Sequence, residues 1–336
     1  MASGTRSTGW WYHFKQTLRC TPLIGRPLAW LHRKLFPKPA HPWDDRLPPG
    51  ASVAEIQTYM DRRFAAGTAY TSTNQIRWLH ALWEENSQAV YHLILRAGNP
   101  LDLRILDIGC GRGGVVGEID RCRELVGIEL SAVAVEDARK NYAHRKDARF
   151  EVMDATKPDF PDGYFDVAVA RELLEHVPEP AKVIAGAFRV LRPGGLFVVT
   201  SPNRDSFHLR MNRILGYNDF VCSMDHVKEF SYPEMCGMLT AAGFTLDHAQ
   251  GIFFQPYWGI PHVDDTVRRY TDDDPEVVEW LRLLGRRAGP EFGFSYAIAA
   301  RKSGGSAGAG TPAAANAATT ASPATDATAT AARPTV

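Results

Sequence analysis

Short apolar runs alternate with helical patterns through the middle of the chain, and this alternation limits the folds that the chain can adopt. Apolar runs of strand length lie at 104–108, 124–128, 149–153, 165–170 and 195–200. Runs of this kind are typical of buried parallel strands joined by helices. Two further runs, 246–253 and 294–300, bring the predicted strands to seven. The pattern predicts an α/β fold, a doubly wound, Rossmann-like, mostly parallel sheet.

The two ends of the chain differ in composition from the middle. Residues 1–50 are expected to form a basic, aromatic N-terminal arm, because the first 43 residues carry seven basic side chains and no acidic one. The arm either packs over the core or makes peripheral contact with a membrane. Residues 303–336 are rich in alanine and threonine, which predicts a disordered tail.

Residues 51–302 are expected to form one folded domain. Its helical lead-in covers 51–100, where Ser52 and Glu55 have the spacing of a capping box. The stretch 255–290 is too long for a hairpin turn between the last two strands. We therefore expect a cap insertion there.

The overall charge excludes a strong general attraction to nucleic acids or membranes. Lysine plus arginine and aspartate plus glutamate both number 38, so the formal net charge is zero. Five scattered cysteines show no disulfide or thiolate-zinc spacing. With no apolar run near the length of a membrane-spanning helix, a cytoplasmic location is expected. The sequence carries no signal for the oligomeric state.

A glycine-rich turn follows the first predicted strand, in the sequence Asp107-Ile-Gly-Cys-Gly-Arg-Gly-Gly114. Glycines let the backbone approach a ligand closely. Glu129 ends the second strand, where a carboxylate can accept the hydroxyls of a ribose, which indicates a nucleoside-bearing ligand. The same glycines also satisfy the dinucleotide pattern. Asp107 favours an amino-acid-bearing nucleoside, because a carboxylate attracts an ammonium group and repels a pyrophosphate.

Several ordered motifs resemble those of the class I S-adenosylmethionine-dependent methyltransferases. They are the glycine turn, the acid in Val-Gly-Ile-Glu129-Leu-Ser, Met-Asp154-Ala155, Phe165-Asp-Val and Leu-Arg-Pro193-Gly-Gly. The resemblance implies that 51–302 is a methyltransferase domain with S-adenosyl-L-methionine as its cofactor.

The resemblance also implies a role for each matching residue. Gly109, Cys110 and Gly111 would lie along the methionine moiety, and Asp107 would meet its ammonium group. Glu129 would hold the ribose, Leu130 would pack on the adenine, and Asp154 with Ala155 would contact the adenine edge. Leu130 and Ala155 also suit ordinary core packing, and Asp154 also suits a turn.

The run Arg171-Glu-Leu-Leu-Glu-His176 follows the fourth strand, beside the expected methyl position. On a helical turn Glu172 and His176 would share a face, so they are the candidate catalytic acid-base pair. With Glu175 and His226 they also form a candidate site for a divalent cation such as Mg²⁺. Alternatively, Glu175 caps its helix and His176 packs at the helix end.

This run is similar to that of the ubiquinone-pathway O-methyltransferases and of the small-RNA 3′-terminal ribose 2′-O-methyltransferases. The function expected first is O-methylation of a small or lipid-like hydroxylated substrate. Methylation of an RNA 3′-terminal ribose is the alternative, although the neutral charge disfavours nucleic acid as a partner. N- or C-methylation of a natural product also remains open.

Overall fold

The computed structural model describes residues 51–66, 77–217, 222–223, 225–260, 263, 266–267 and 274–304. Its strands are β1 (Arg104–Ile108), β2 (Glu124–Glu129), β3 (Ala148–Val152), β4 (Phe165–Arg171), β5 (Leu191–Pro202), β6 (Phe244–Ile252) and β7 (Ser295–Lys302). Its α-helices are α1 (Val53–Ala65), α2 (Arg77–Leu95), α3 (Ala132–Asn141), α4 (Pro180–Val190), α5 (Phe207–Ile214), α6 (Tyr232–Ala241) and α7 (Pro275–Ala288). The predicted N-terminal arm lies outside these residues, as does all but the first two residues of the predicted tail.

The seven strands form one sheet in the order β3-β2-β1-β4-β5-β7-β6. The first five strands are parallel, and β7 is antiparallel to both β5 and β6. After β1 the chain builds outward through β2 and β3, then returns to the other side of β1 with β4. This reversal opens a crevice at the carboxyl ends of β1 and β4, the usual ligand position in such sheets. The predicted fold class is confirmed.

Alternate residues of the strands enter two separate apolar layers, one on each face of the sheet. Ile105 belongs to the layer under α2, α3 and α7, whereas Leu106 belongs to the layer under α4 and α6. Val169 and Ala170 divide in the same way. Both faces of the central strands are therefore buried, which explains why these strands are continuous apolar runs in the sequence.

The helical lead-in is part of the core. The apolar face of α2 is buried, and it includes Leu82, Val90, Leu93 and Ile94. On α1, Ser52 and Glu55 form the predicted capping box, in which Glu55 Oε2 accepts the Ser52 N–H at 2.8 Å. Both helices reach the carboxyl edge of the sheet.

The helix inside the predicted cap insertion, 255–290, packs into the core layer and not over the crevice. Val278 and Leu281 of α7 are buried, and Gly285 lies so close to the strand end that an added Cβ would be 2.4 Å from the Phe253 backbone. Arg286 Nη2 donates to Glu85 Oε2 of α2 at 2.6 Å. The apolar face of α7 is thus buried against the sheet and α2, which corrects the expectation of a cap for this helix.

Strand β5 begins earlier than the sequence predicts. Leu191 already pairs with Phe165 of β4, and a bulge separates this pair from the regular register that starts at Val167 and Leu196. Pro193 and Gly194 of the Leu-Arg-Pro-Gly-Gly motif lie within this irregular start.

A membrane-spanning helix is not found in the part of the chain that the structure describes, where every helix is too short or too polar to cross a bilayer.

Candidate active site

Two adjoining cavities, of about 200 and 460 Å³, occupy the crevice at the carboxyl ends of the central strands. The smaller cavity lies under α1 and reaches the ends of β2 and β3. The larger lies beside the glycine turn and α2. Both are lined by Phe64, Gly109, Gly111, Arg171 and Glu172. The crevice is therefore continuous past the glycine turn.

The glycine turn is close-packed at two positions. Gly109 has a φ of +73°, and an added Cβ would lie 2.6 Å from Leu173 Cδ1. At Gly114 an added Cβ would lie 2.0 Å from Arg171 Nη2. At Gly109 the positive φ favours glycine, and a side chain there would also have to displace Leu173. At Gly114 a side chain would need only the end of the Arg171 side chain to move. Cys110, the residue between the first two glycines, is buried and lines the larger cavity.

The segment after the glycine turn is a short 3₁₀ helix, Val115–Glu118. Its first N–H, that of Val115, donates to Asp107 Oδ2 at 3.4 Å. The first N–H of this helix is thus partly satisfied within the protein.

Glu129, the predicted ribose contact, is the last residue of β2. It is 8% exposed and lines the smaller cavity. Its Oε1 accepts the Ser131 N–H at 3.0 Å, and its Oε2 accepts the Gly111 N–H at 3.2 Å. Burial raises the pKa of Glu129, although these two N–H groups partly stabilise its ionised form. The carboxylate is held rigidly between the glycine turn and the start of α3.

The predicted adenine contacts line the far end of the smaller cavity. Leu130, Asp154 and Ala155 all lie there. Asp154 Oδ1 also accepts the Thr156 N–H at 2.8 Å, so this residue builds the turn after β3 as well as facing the cavity. Ala155 packs against the core in addition. For Asp154 and Ala155, ligand-facing and structural roles coexist; the contacts with adenine stay predictions.

Asp107 lines the larger cavity and is 2% exposed. Burial raises the pKa of its carboxyl to about 6, and the positive charge of Arg171 is the largest opposing influence. An ammonium group in this cavity would stabilise the ionised carboxylate further.

The run after β4 does not form the helical turn that we expected. Glu172 has a left-handed backbone with a φ of +47°, and its N–H donates to the Thr200 carbonyl of β5 at 3.1 Å. Only Leu174–His176 forms a helix, a single 3₁₀ turn. Glu172 and His176 therefore share no helical face, although both line the smaller cavity. Asn86 of α2 fixes Glu172 by donating from Nδ2 to Oε1 at 2.8 Å.

Three of the four predicted cation ligands meet. One ligand atom each from Glu175, His176 and His226 lies within 4.8 Å of the others. Glu172 is not part of this group. The rings of the two histidines are in edge-to-face contact at 4.7 Å. The segment that carries His226 is attached to this place through Glu175, whose carbonyl accepts the Val227 N–H at 2.7 Å.

Residues outside the predicted set orient this cluster. Asp225 Oδ2 and its carbonyl each lie 3.3 Å from His176 Nδ1. Arg63 of α1 forms an ion pair with the same Asp225. Glu229 Oε1 lies 2.7 Å from His226 Nδ1. The capping-box signal predicts α1, but the sequence gives no indication that its Arg63 reaches this site.

Burial dominates the electrostatics of the cluster. It raises the pKa of Glu172, and it raises that of Glu175 strongly because the charge of Glu172 adds to the effect. Burial also lowers the pKa of His176 to about 4, so its imidazole is neutral near pH 7. Oε2 of Glu175 accepts the Ser201 hydroxyl at 3.2 Å, whereas its Oε1 is buried without a hydrogen-bond partner among the described residues.

A family model described as a methyltransferase domain matches residues 82–249. The chain belongs to the S-adenosylmethionine-dependent methyltransferases. It is an enzyme of this family, and S-adenosyl-L-methionine is the cofactor that the family implies. Membership of this family favours S-adenosyl-L-methionine over a dinucleotide as the ligand of the glycine turn.

Two relatives and one solved structure illustrate the similarity. A probable S-adenosylmethionine-dependent methyltransferase of Mycolicibacterium smegmatis is 32% identical over 51% of this chain and 62% of its own length. A ubiquinone biosynthesis O-methyltransferase of Aeromonas salmonicida is 32% identical over 48% of this chain and 71% of its own length. The [4+2]-cyclase SpnF shares the fold with a TM-score of 0.53 at 19% identity, covering 78% of this chain and all of that one.

The raised pKa of Asp107 predicts a pH-dependent cost to stability. For a buried acid whose pKa rises on folding, stability is lost as pH increases from the unfolded pKa near 3.8 towards about 6, and the full cost remains above that range. A shift of about two units corresponds to ~3 kcal/mol. We expect Asp107→Asn to raise the free energy of unfolding at pH 7.5 by up to about this amount and to weaken binding of S-adenosylhomocysteine.

Urea denaturation at pH 7.5 and pH 4, together with calorimetric titration, measures both effects. The stability difference between the two proteins should shrink towards zero at pH 4. Asp120→Asn, which removes an exposed carboxylate, serves as the matched control. Equal stability of Asp107→Asn and the unaltered protein at pH 7.5 would contradict a raised pKa of Asp107 in the folded protein.

Proposed function

We propose that the chain is an O-methyltransferase that acts on a small or lipid-like hydroxylated compound. The observation that carries this proposal is the buried group of acids and imidazoles that opens onto the cofactor crevice. Glu172 and His176 line the same cavity as the Glu129 carboxylate. Proton-accepting groups therefore lie beside the place where the methyl group is expected.

Methyl transfer to oxygen needs such groups. The sulfonium of the cofactor already activates the methyl group, so the enzyme aligns the nucleophile and removes its proton. His176 suits this role because its imidazole is neutral near pH 7. If its Nδ1–H donates to Asp225, Nε2 is left as the proton acceptor. Glu172 is the second candidate, and Asn86 holds its carboxylate in place.

The buried cluster also fits a divalent cation. Oε1 of Glu175 lacks a protein partner among the described residues, and Glu229 is placed to orient His226 through Nδ1, as carboxylates commonly do for histidine ligands. Two imidazoles and one carboxylate suit a transition ion such as Mn²⁺ or Zn²⁺ better than the Mg²⁺ first expected. A bound cation would lower the pKa of the substrate hydroxyl.

The two roles of His176 exclude one another, because one ring nitrogen cannot both bind a cation and accept a proton. We infer that Glu175, His176 and His226 hold a cation and that Glu172 accepts the proton. Without a cation, His176 is the base.

The ubiquinone biosynthesis O-methyltransferase of Aeromonas salmonicida supports oxygen as the methylated atom, since it is 32% identical to this chain.

The predicted activity can be tested with a panel of catechols, long-chain phenols and sugars, using S-adenosylmethionine that carries a deuterated methyl group. We expect a hydroxylated compound to gain one labelled methyl group, detected by mass spectrometry. Glu172→Gln should retain cofactor binding and lower turnover by a factor on the order of 10² to 10⁴, as expected for loss of a general base. Transfer only to an RNA 3′-terminal ribose, or only to nitrogen or carbon, would contradict the proposal.

Removal of metal tests the cation separately. We expect the purified protein to bind Mn²⁺ or Zn²⁺, measured by calorimetry, and a chelator to lower turnover. His226→Ala should abolish this binding, whereas His248→Ala, a change of an exposed histidine on β6, should leave it intact. Full activity in the chelator, together with loss of activity in His176→Ala, would instead assign the base to His176.

A further inference from the structure

The guanidinium of Arg171 lies against the glycine turn. Arg171 is the last residue of β4, and its side chain is 18% exposed and lines both cavities. Nη2 occupies the space beside Gly114, where an added Cβ would lie only 2.0 Å away. A positive charge is thus built into the larger cavity, which Asp107 also lines.

The guanidinium retains donors for a ligand. Among the described residues its one hydrogen-bond partner is Ser87, whose Oγ accepts from Nη1 at 3.0 Å. The ion pair with Glu118 is long, at 3.9 Å. Since a guanidinium has five N–H donors in a fixed fork, most of its hydrogen-bonding capacity is not used by these contacts.

The other arginine that lines the larger cavity, Arg112, is committed to the protein. Its Nε donates to Asp137 Oδ2 at 3.0 Å, and its Nη2 donates to the Phe64 carbonyl at 2.7 Å. These bonds connect the glycine turn to α3 and α1. Arg112 therefore has a structural use that Arg171 does not share.

We propose that Arg171 binds the carboxylate of the methionine moiety of S-adenosylmethionine while Asp107 meets its ammonium group. The two charged groups of an amino acid are attached to one carbon, so a ligand of this kind needs an acid and a base side by side. Asp107 and Arg171 line one cavity and offer that pair. An arginine fork also matches the two oxygens of a carboxylate.

Helix α2 contacts both Arg171 and the candidate base Glu172. Asn86 of this helix donates to Glu172, and the next residue, Ser87, accepts from Arg171. Arg171 and Glu172 are also neighbours in the sequence. A shift of α2 would therefore move the carboxylate contact and the candidate base together. Ser87 is a positioning residue for Arg171 on this account.

A ligand that lacks the methionine carboxylate shows whether Arg171 binds that carboxylate or only supports the structure of the cavity. The experiment titrates the full chain with S-adenosylhomocysteine and with its decarboxylated analogue, S-adenosyl-3-thiopropylamine. We expect Arg171→Gln to weaken S-adenosylhomocysteine binding by a factor of about 10 to 100, as for loss of a charge-assisted hydrogen bond. Binding of the analogue should change by less than about threefold.

Three variants complete the test, and thermal denaturation confirms that each is folded. The quantity compared is the affinity for S-adenosylhomocysteine divided by the affinity for the analogue. For Arg171→Lys this ratio should lie between those of the unaltered protein and Arg171→Gln. Arg171→Lys also serves as the test if Arg171→Gln does not fold. Ser87→Ala should lower the same ratio by a smaller factor. Arg112→Gln should weaken both ligands alike and leave the ratio unchanged. Equal weakening of both ligands by the Arg171 variants, or no weakening of either, would overturn the proposal.

Discussion

Burial of carboxylates along one edge of the sheet is the constraint on which the rest of the site depends. Asp107, Glu129, Glu172 and Glu175 all lie at or just beyond the carboxyl ends of parallel strands. Burial raises the pKa of each one, which means that folding places acids where water no longer stabilises their charge. Such an arrangement costs stability and is typical of functional sites.

The surrounding elements reduce this cost unequally. The Glu129 carboxylate receives two backbone N–H groups. The Glu172 carboxylate accepts the side-chain amide of Asn86 from α2, and the Glu172 backbone N–H donates to the Thr200 hydroxyl of β5. Glu175 retains an oxygen without a described partner. The acid that faces the expected ribose is thus the best satisfied within the protein, and Glu175, which is fully buried, is the least satisfied.

Local patterns predicted most of the fold. Strand positions, the glycine turn and the capping box at Ser52 depend on residues close together in sequence, and apart from the early start of β5 the structure places them as expected. Glu172 shows where such reasoning fails. Its helical geometry was predicted from a four-residue spacing, but a hydrogen bond to Thr200, which lies 28 residues further along the chain, holds it in a left-handed conformation.

Contributions from the lead-in helices escaped prediction for the same reason. Arg63 and Asn86 belong to no recognised motif, and only the packing of α1 and α2 on the sheet edge brings them to the cluster. The helix of the predicted cap is similar, because its burial depends on the matching surface of α2 and on the close approach at Gly285. Such partners are specified by tertiary contacts that no local pattern contains.

The central claim is that the nucleoside of S-adenosylmethionine lies across the crevice with its ribose on Glu129. Calorimetric titration of S-adenosylhomocysteine into the unaltered protein and into Glu129→Ala tests it most directly. The account predicts one binding site in the unaltered protein and an affinity at least about 100-fold lower in the variant. Equal affinity in both proteins, with the variant folded, would contradict it.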